Sequence, residues 1–137
     1  MDFRFRKAER ITSLKDIEHL FERGCSSSVN VSPLLAVWQQ RPAVTADGRR
    51  SVKVLVSVAK KRLRHAVDRN RTKRQIREAY RLHREQLDRV VADSGKELLI
   101  AFVWQSDTLE PTERVSEAMR RILAFIAQRT TTTQKFS

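Results

Sequence analysis

The side chains of this sequence best placed to act on another molecule are cations, and they are concentrated in one stretch. Between Lys60 and Arg84 stand eleven basic residues: Lys60, Lys61, Arg62, Arg64, Arg69, Arg71, Lys73, Arg74, Arg77, Arg81 and Arg84. Asp68 and Glu78 alone oppose them, so these residues carry a net +9 of the chain's formal +12. Guanidinium and ammonium groups in such a run do electrostatic chemistry: they neutralise phosphates and displace their counterions. The residue types that break bonds are scattered instead. His19, His65 and His83 lie far apart along the chain, and no cluster of carboxylates stands ready to hold two metal ions. Cys25 precedes three serines, with no basic partner that the sequence places beside it, which argues against a nucleophile. As the one cysteine, it also rules out an internal disulfide and a cysteine-rich zinc site. The sequence therefore assigns no catalytic residue and no metal ligand.

Cations need a scaffold, and the pattern around them predicts a helix. From about Ala66 to Val91, the residues Ile76, Tyr80, His83, Leu87 and Val91 recur at i, i+4, i+7, i+11 and i+15. That is one stripe of a single long helix facing a core, with His83 packed into it rather than acting as a base. On such a helix Arg69, Lys73 and Arg77 fall at i, i+4 and i+8, and Asn70, Arg74, Arg77 and Arg81 at i, i+4, i+7 and i+11. These rows lie side by side, away from the stripe. Like charges so spaced repel by about a few tenths of a kcal/mol per pair, and the first turn is the positive end of the helix dipole, where cations are disfavoured. An isolated protein gains nothing from Arg69, Arg71 and Lys73 there, whereas a phosphate backbone would meet dipole, amides and guanidinium forks together. A merely solubilising face is the plain alternative, but such faces mix the two signs. A coiled-coil or calmodulin-target helix is another, weakened because the stripe lasts less than four heptads.

The rest of the chain reads as one domain over 1–129, with a tail from Thr130 to Ser137 that has neither period nor apolar content and is expected to be disordered. Ser13 can cap a first helix whose apolar residues are Leu14, Ile17, Leu20 and Phe21, with Gly24 as its stop. Residues 25–33 read as a loop or irregular edge strand, Leu34 to Trp38 as a short buried strand, and 39–51 as a polar hairpin-like turn. Val52, Val54, Val56 and Val58 alternate with Lys53, Leu55 and Ser57, a strand with one apolar face and one mixed face. Leu98 to Trp104 is a continuous apolar run suited to a central strand. Pro111 sits in the first turn of a last helix, whose buried side is Val115, Met119, Ile122 and Ile126.

A charge of this sign and size draws polyanions, either nucleic acid or an anionic membrane. No run of about 18 apolar residues occurs, and MDFRFRKAERITS lacks the apolar core of a secretory signal. A reducing cytoplasm and a nucleic-acid partner, with no membrane and no obligate protein partner, are the expectation.

The stretch VLVSVAKKRLRHAVDRNRTKRQIREAYR, residues 54–81, resembles the signature of the bacterial ribonuclease P protein family. The matching elements are Ser57-Val58, Lys60-Lys61, Ala66-Val67, Arg69-Asn70-Arg71, Lys73-Arg74 and Ile76-Arg77-Glu78-Ala79, all in register, and LKDIEHLFERG (14–24) is similar to the family's first helix. Two places depart from the family pattern. The turn Arg62-Leu63-Arg64-His65 is longer than usual and has no glycine, and the strand end Val103-Trp104-Gln105 lacks the usual basic residue.

The resemblance implies an α+β two-layer sandwich of αβββαβα order, with a roughly four-stranded sheet and an unusual left-handed βαβ crossover. It implies a protein that binds the catalytic ribonuclease P RNA and the single-stranded 5′ leader of precursor tRNA. Hydrolysis would be carried out by that RNA with Mg²⁺, the ion being held mainly by the RNA and the substrate phosphates. Lys60, Lys61, Arg69, Asn70, Arg71, Lys73, Arg74, Arg77 and Arg81 would then face the catalytic RNA. Ile17, Phe21 and Ser57 would line a leader cleft between the first helix and the mixed sheet face. Ile17 and Phe21 read equally well as core residues, and the face taken by Trp38 is open at this level. A ribosomal or ribosome-associated structural protein is the alternative with the same charge and size.

Overall fold

A computed structural model describes residues 27–42, 52–94 and 96–135. The expected first helix, with Ile17, His19 and Phe21, lies outside the described residues, as do Cys25 and most of the turn expected at 39–51. Strands β1 (Ser27–Val31) and β2 (Leu34–Pro42) form an antiparallel hairpin that turns at Ser32–Pro33, a cis peptide. The segment read as loop or irregular edge is thus an edge strand. Val29 and Val31 pack on the core, while Ser27, Ser28 and Asn30 stay exposed. β2 continues past Trp38 because Gln39, Gln40 and Arg41 pair with Leu99, Leu98 and Glu97. Ladder hydrogen bonds come from the backbone, so a polar run can extend a strand that hydropathy would end.

Strand β3 (Val52–Ser57) and strand β4 (Lys96–Trp104) are parallel neighbours, and the sheet order is β1-β2-β4-β3. A parallel pair needs a crossover. It is made here by helices α1 (Ala66–His83) and α2 (Glu85–Ser94), with α3 (Thr112–Lys135) closing the described chain. The architecture is α+β with a four-stranded open sheet.

The helices pack on one side of the sheet. Trp38, Ile100 and Val54 form one cross-strand row on that side, buried with Ile76 and Tyr80 of α1, Leu87 and Val91 of α2, and Met119, Ile122 and Ile126 of α3. Val37, Ala101 and Leu55 form the alternate row on the opposite side, where Ala101 and its neighbour Leu99 are fully buried. Burial on both sides is why β4 reads as an unbroken apolar run. The pleat also settles Trp38: it meets Phe125 edge-on at 5.9 Å on the helix side, away from the face that carries Ser57.

Two expectations about the helices change. The single helix expected from Ala66 to Val91 is two, parted at Arg84. The interruption is slight, since Arg84 keeps α-type angles and its carbonyl accepts from the Asp88 amide at 2.9 Å, so the stripe runs on through Leu87 and Val91. Arg84 itself is drawn fully inside, its Nε donating to Asp88 Oδ2 at 2.8 Å and its guanidinium 5.0 Å from the Tyr80 ring centre. At the other end, α3 continues to Lys135, past the point where a disordered tail was expected to begin. Thr130 is buried; its hydroxyl donates to the Ile126 carbonyl at 2.9 Å and accepts from Gln40 Nε2 at 3.2 Å. A threonine that satisfies its hydroxyl within its own helix has no need of water.

Replacing Asp88 by Ala leaves a buried guanidinium without this carboxylate. A loss of about 3 kcal/mol is expected in chemical denaturation, the low end for a broken buried pair because Asp88 is partly exposed. Leu82→Ala, at an exposed position six residues earlier, should stay within about 0.5 kcal/mol.

Candidate nucleic-acid interface

The cationic stretch folds into a loop and a helix that act as one unit. After β3 the chain closes a tight turn, with the Arg62 and Leu63 amides donating to the Ala59 carbonyl at 3.0 and 3.2 Å. Leu63 is buried, while Lys60, Lys61 and Arg64 project into solvent. No non-glycine residue among those described has a positive φ, so the turn 62–65 closes without the glycine usual in the family. His65 then stands at the N-cap of α1 in extended conformation and offers no side-chain cap. The first-turn amides of α1 therefore lack a side-chain acceptor from the cap position, and Asp68 supplies the only acidic side chain of that turn.

The expected site residues divide by environment. Asn70, Arg71 and Arg74 are exposed along the outer ridge of α1, and Lys73 is half-buried. Among the described residues, Lys60, Lys61, Arg64, Arg71, Lys73 and Arg74 make no ion pair. The other cations of the stretch are engaged to differing degrees. Arg62 reaches the loop after β4, with Nη1 donating to Asp107 Oδ1 at 3.0 Å and Nη2 to Gln105 Oε1 at 3.4 Å. A guanidinium thereby stands beside the strand end where the family pattern has a basic residue. Arg77 is half-buried. Arg81 grips Glu78 with both Nε, at 3.1 Å from Oε2, and Nη2. The hydrogen-bonded Arg81 holds the Glu78 carboxyl below the usual carboxylate range, so the carboxylate keeps its charge further into acid.

Arg69 corrects the sequence reading, which placed it on a row away from the core. Its Nη1 donates to the carbonyls of Leu63 at 2.9 Å and Arg64 at 2.7 Å, and the residue is half-buried. The signal was available: Arg69 precedes Ile76 by seven residues, which leaves the two only ~20° apart around an α-helix. Gln75 was missed altogether. Buried beside Ile76, it donates from Nε2 to the Glu110 carbonyl and the Thr112 hydroxyl, each at 3.1 Å, and so ties α1 to the start of α3. His83, read as packed, is half-buried and lies 2.8 Å from the Ser116 hydroxyl.

Ser57 lies half-buried on the sheet face opposite the helices, in a row with Val103 and Leu35. Lys53, on the same face, is 3.4 Å from Glu97. The described part of that face is therefore apolar to neutral, unlike the loop and α1. Ile17 and Phe21 lie outside the described residues. Among the described residues, no three His, Cys, Asp or Glu side chains gather as a metal site, and no helix is long and apolar enough to cross a membrane.

These features define an α+β protein whose loop after β3 and following helix form one electropositive surface. Comparison with known proteins narrows the class. Residues 5–126 match the family model for ribonuclease P. The ribonuclease P protein component of Porphyromonas gingivalis is 38% identical over 129 residues, covering 91% of this chain and 88% of the relative. That of Chlorobaculum tepidum is 38% identical over 96 residues, covering 66% and 62%. The solved Staphylococcus aureus RNase P protein superposes with a TM-score of 0.62 at 22% identity, covering 88% of this chain and 96% of that one. A mutant of it with defective mRNA degradation activity gives 0.64 at 20% identity, with coverages of 88% and 89%. The chain belongs to the ribonuclease P protein family, whose members are the protein component of an endoribonuclease complex in tRNA processing.

The Glu78–Arg81 pair gives a direct check on how the surface is used. Glu78→Gln should release Arg81 and steepen the dependence of log affinity for RNA on log salt by about 0.7–0.9, one added phosphate contact. An unchanged slope in a salt titration would show that Arg81 stays out of contact.

Proposed function

We propose that this protein binds the catalytic RNA of ribonuclease P and assists RNA- and Mg²⁺-dependent removal of the 5′ leader from precursor tRNA. The observation that carries this reading is a set of cations on one loop and helix that make no ion pair among the described residues: Lys60, Lys61, Arg64, Arg71, Lys73 and Arg74. Unpaired like charges on neighbouring turns are unfavourable in the free protein and favourable against a phosphate backbone. Arg77 and Arg81 border the same surface, and Asn70 adds a neutral hydrogen-bonding group within it.

In this reading the protein positions and neutralises, and the RNA carries the chemistry. The Mg²⁺ that hydrolysis requires would be held mainly by the RNA and the substrate phosphates. The leader would run along the sheet face that carries Leu55 and Ser57, opposite the helices. A floor that is apolar to neutral apart from the Lys53–Glu97 pair suits the faces of bases better than phosphates, and stacking on aromatic rings there is worth about 1–3 kcal/mol per base for any sequence. Ile17 and Phe21, in the stretch that resembles the family's first helix, are the residues this reading assigns to that cleft. The cytoplasm, where precursor tRNA is made, is the site of action.

Two measurements test the reading. The protein alone should not cleave precursor tRNA in Mg²⁺. Added to a bacterial ribonuclease P RNA at moderate Mg²⁺, it should raise cleavage at the mature 5′ end, and the stimulation should shrink as Mg²⁺ rises and screening becomes general. A rate left unchanged across the Mg²⁺ series would leave the ribosome-associated reading as the better one. In the reconstituted complex, Phe21→Ala should weaken binding of precursor tRNA more than of mature tRNA, by roughly fivefold or more if one stacking contact is lost. Equal weakening of both would assign Phe21 to the core.

A further inference from the structure

We infer that Arg69 is a positioning residue, not a phosphate contact: its guanidinium braces the loop 59–65 so that Lys60, Lys61 and Arg64 meet the RNA as a preformed set. This inference rests on the reading of that loop as an RNA-facing surface.

The geometry is specific. One nitrogen, Nη1, has two hydrogens, and it lies within hydrogen-bond distance of two successive carbonyls, Leu63 at 2.9 Å and Arg64 at 2.7 Å. Both hydrogens are thus committed to the chain's own backbone, and the side chain is half-buried on the flank of α1. Arg71, two residues on, is exposed and makes no ion pair among the described residues, so the two arginines of one motif do different work.

The loop needs such a brace. It carries three cations that make no ion pair among the described residues, and their mutual repulsion favours an open, splayed chain. Ordering each residue of a flexible segment costs about 1–2 kcal/mol, and a loop ordered before binding spares the complex that cost. Three ties order it here: the turn closed on the Ala59 carbonyl, the Arg62–Asp107 link to the loop after β4, and Arg69 reaching back from α1. The Arg69 tie falls nearest to Arg64 and to the start of the helix.

A double-mutant cycle separates the brace from a contact. Affinity for a bacterial ribonuclease P RNA transcript would be measured across a salt series for Arg69→Ala in two backgrounds. One is the wild-type loop, and the other has Lys60, Lys61 and Arg64 all changed to Ala. The expected result is a loss of about tenfold in the first background and less than about twofold in the second, since groups acting through one element are coupled. In the free Arg69→Ala protein, the Leu63 amide should also exchange hydrogen faster. Equal losses in both backgrounds, or none in either, overturn the brace while leaving the RNA surface in place. A loop-neutralised protein that binds with wild-type affinity and slope overturns the surface itself. If Arg69→Ala does not fold, Arg69→Lys serves in its place, because it keeps the charge but ends one bond short of the two carbonyls. The brace then requires a loss confined to the wild-type loop, and undiminished binding in both backgrounds overturns it.

Discussion

The burial of the inner face of α1 is the constraint on which the rest depends. Its outer face concentrates like charges that cost about a few tenths of a kcal/mol per adjacent pair. Its inner face buries Ile76 and Tyr80 completely, with Ala79 beside them, against the sheet and α3. A fully buried large apolar side chain contributes roughly 1.5–3 kcal/mol, so two of them outweigh the whole row of repulsions. The helix can therefore present cations that do not suit it in isolation. Gln75 and His83 strengthen the arrangement by joining α1 to the beginning of α3, at Thr112 and Ser116.

Parallel pairing of β3 and β4 adds a topological condition. Both strands end at the same edge of the sheet, so the loops that follow them, 59–65 and 105–111, leave side by side. The Arg62 contacts with Asp107 and Gln105 cross that gap. The hairpin turn joins the same edge, the Pro33 carbonyl accepting from the Gln105 amide at 2.8 Å. The electropositive loop is thus anchored to a meeting point of three connections and does not hang free.

Much of this was legible in the residues. Alternating valines located β3 and its two faces, and the apolar run at 98–104 marked β4 as central. The stripe from Ile76 to Val91 found the core side of both helices. What was not legible came from side chains whose hydrogen-bond partners hydropathy and periodicity do not encode. Arg84 looks like one more surface cation until Asp88 and Tyr80 are seen to enclose it. Thr130 looks like the first residue of a polar tail until Gln40, ninety positions away, is found bonded to it. Asn70, Arg71 and Arg74 are exposed on the outer ridge, and the spacing of Arg69 from Ile76 set it toward the core side without naming the loop carbonyls it bonds. Hydropathy counts every arginine as solvent-seeking, whereas a long side chain with a fork of donors can also satisfy backbone carbonyls.

The division of the cations bears on how long such a protein would dwell on the wrong molecule. Every unengaged cation adds to attraction for any polyanion, whatever its sequence, and that attraction sets the residence time on bulk RNA. Arg62, Arg69, Arg81 and Arg84 are turned inward or paired with the protein's own oxygens, so a passing strand meets a weaker field than a formal +12 suggests. Discrimination among nucleic acids depends on the ratio of specific to non-specific binding, not on strength alone. Self-neutralisation lowers the second term, and the cations left facing outward would supply the first. A chain this basic can then leave unsuitable RNA quickly and remain available for the partner its surface fits.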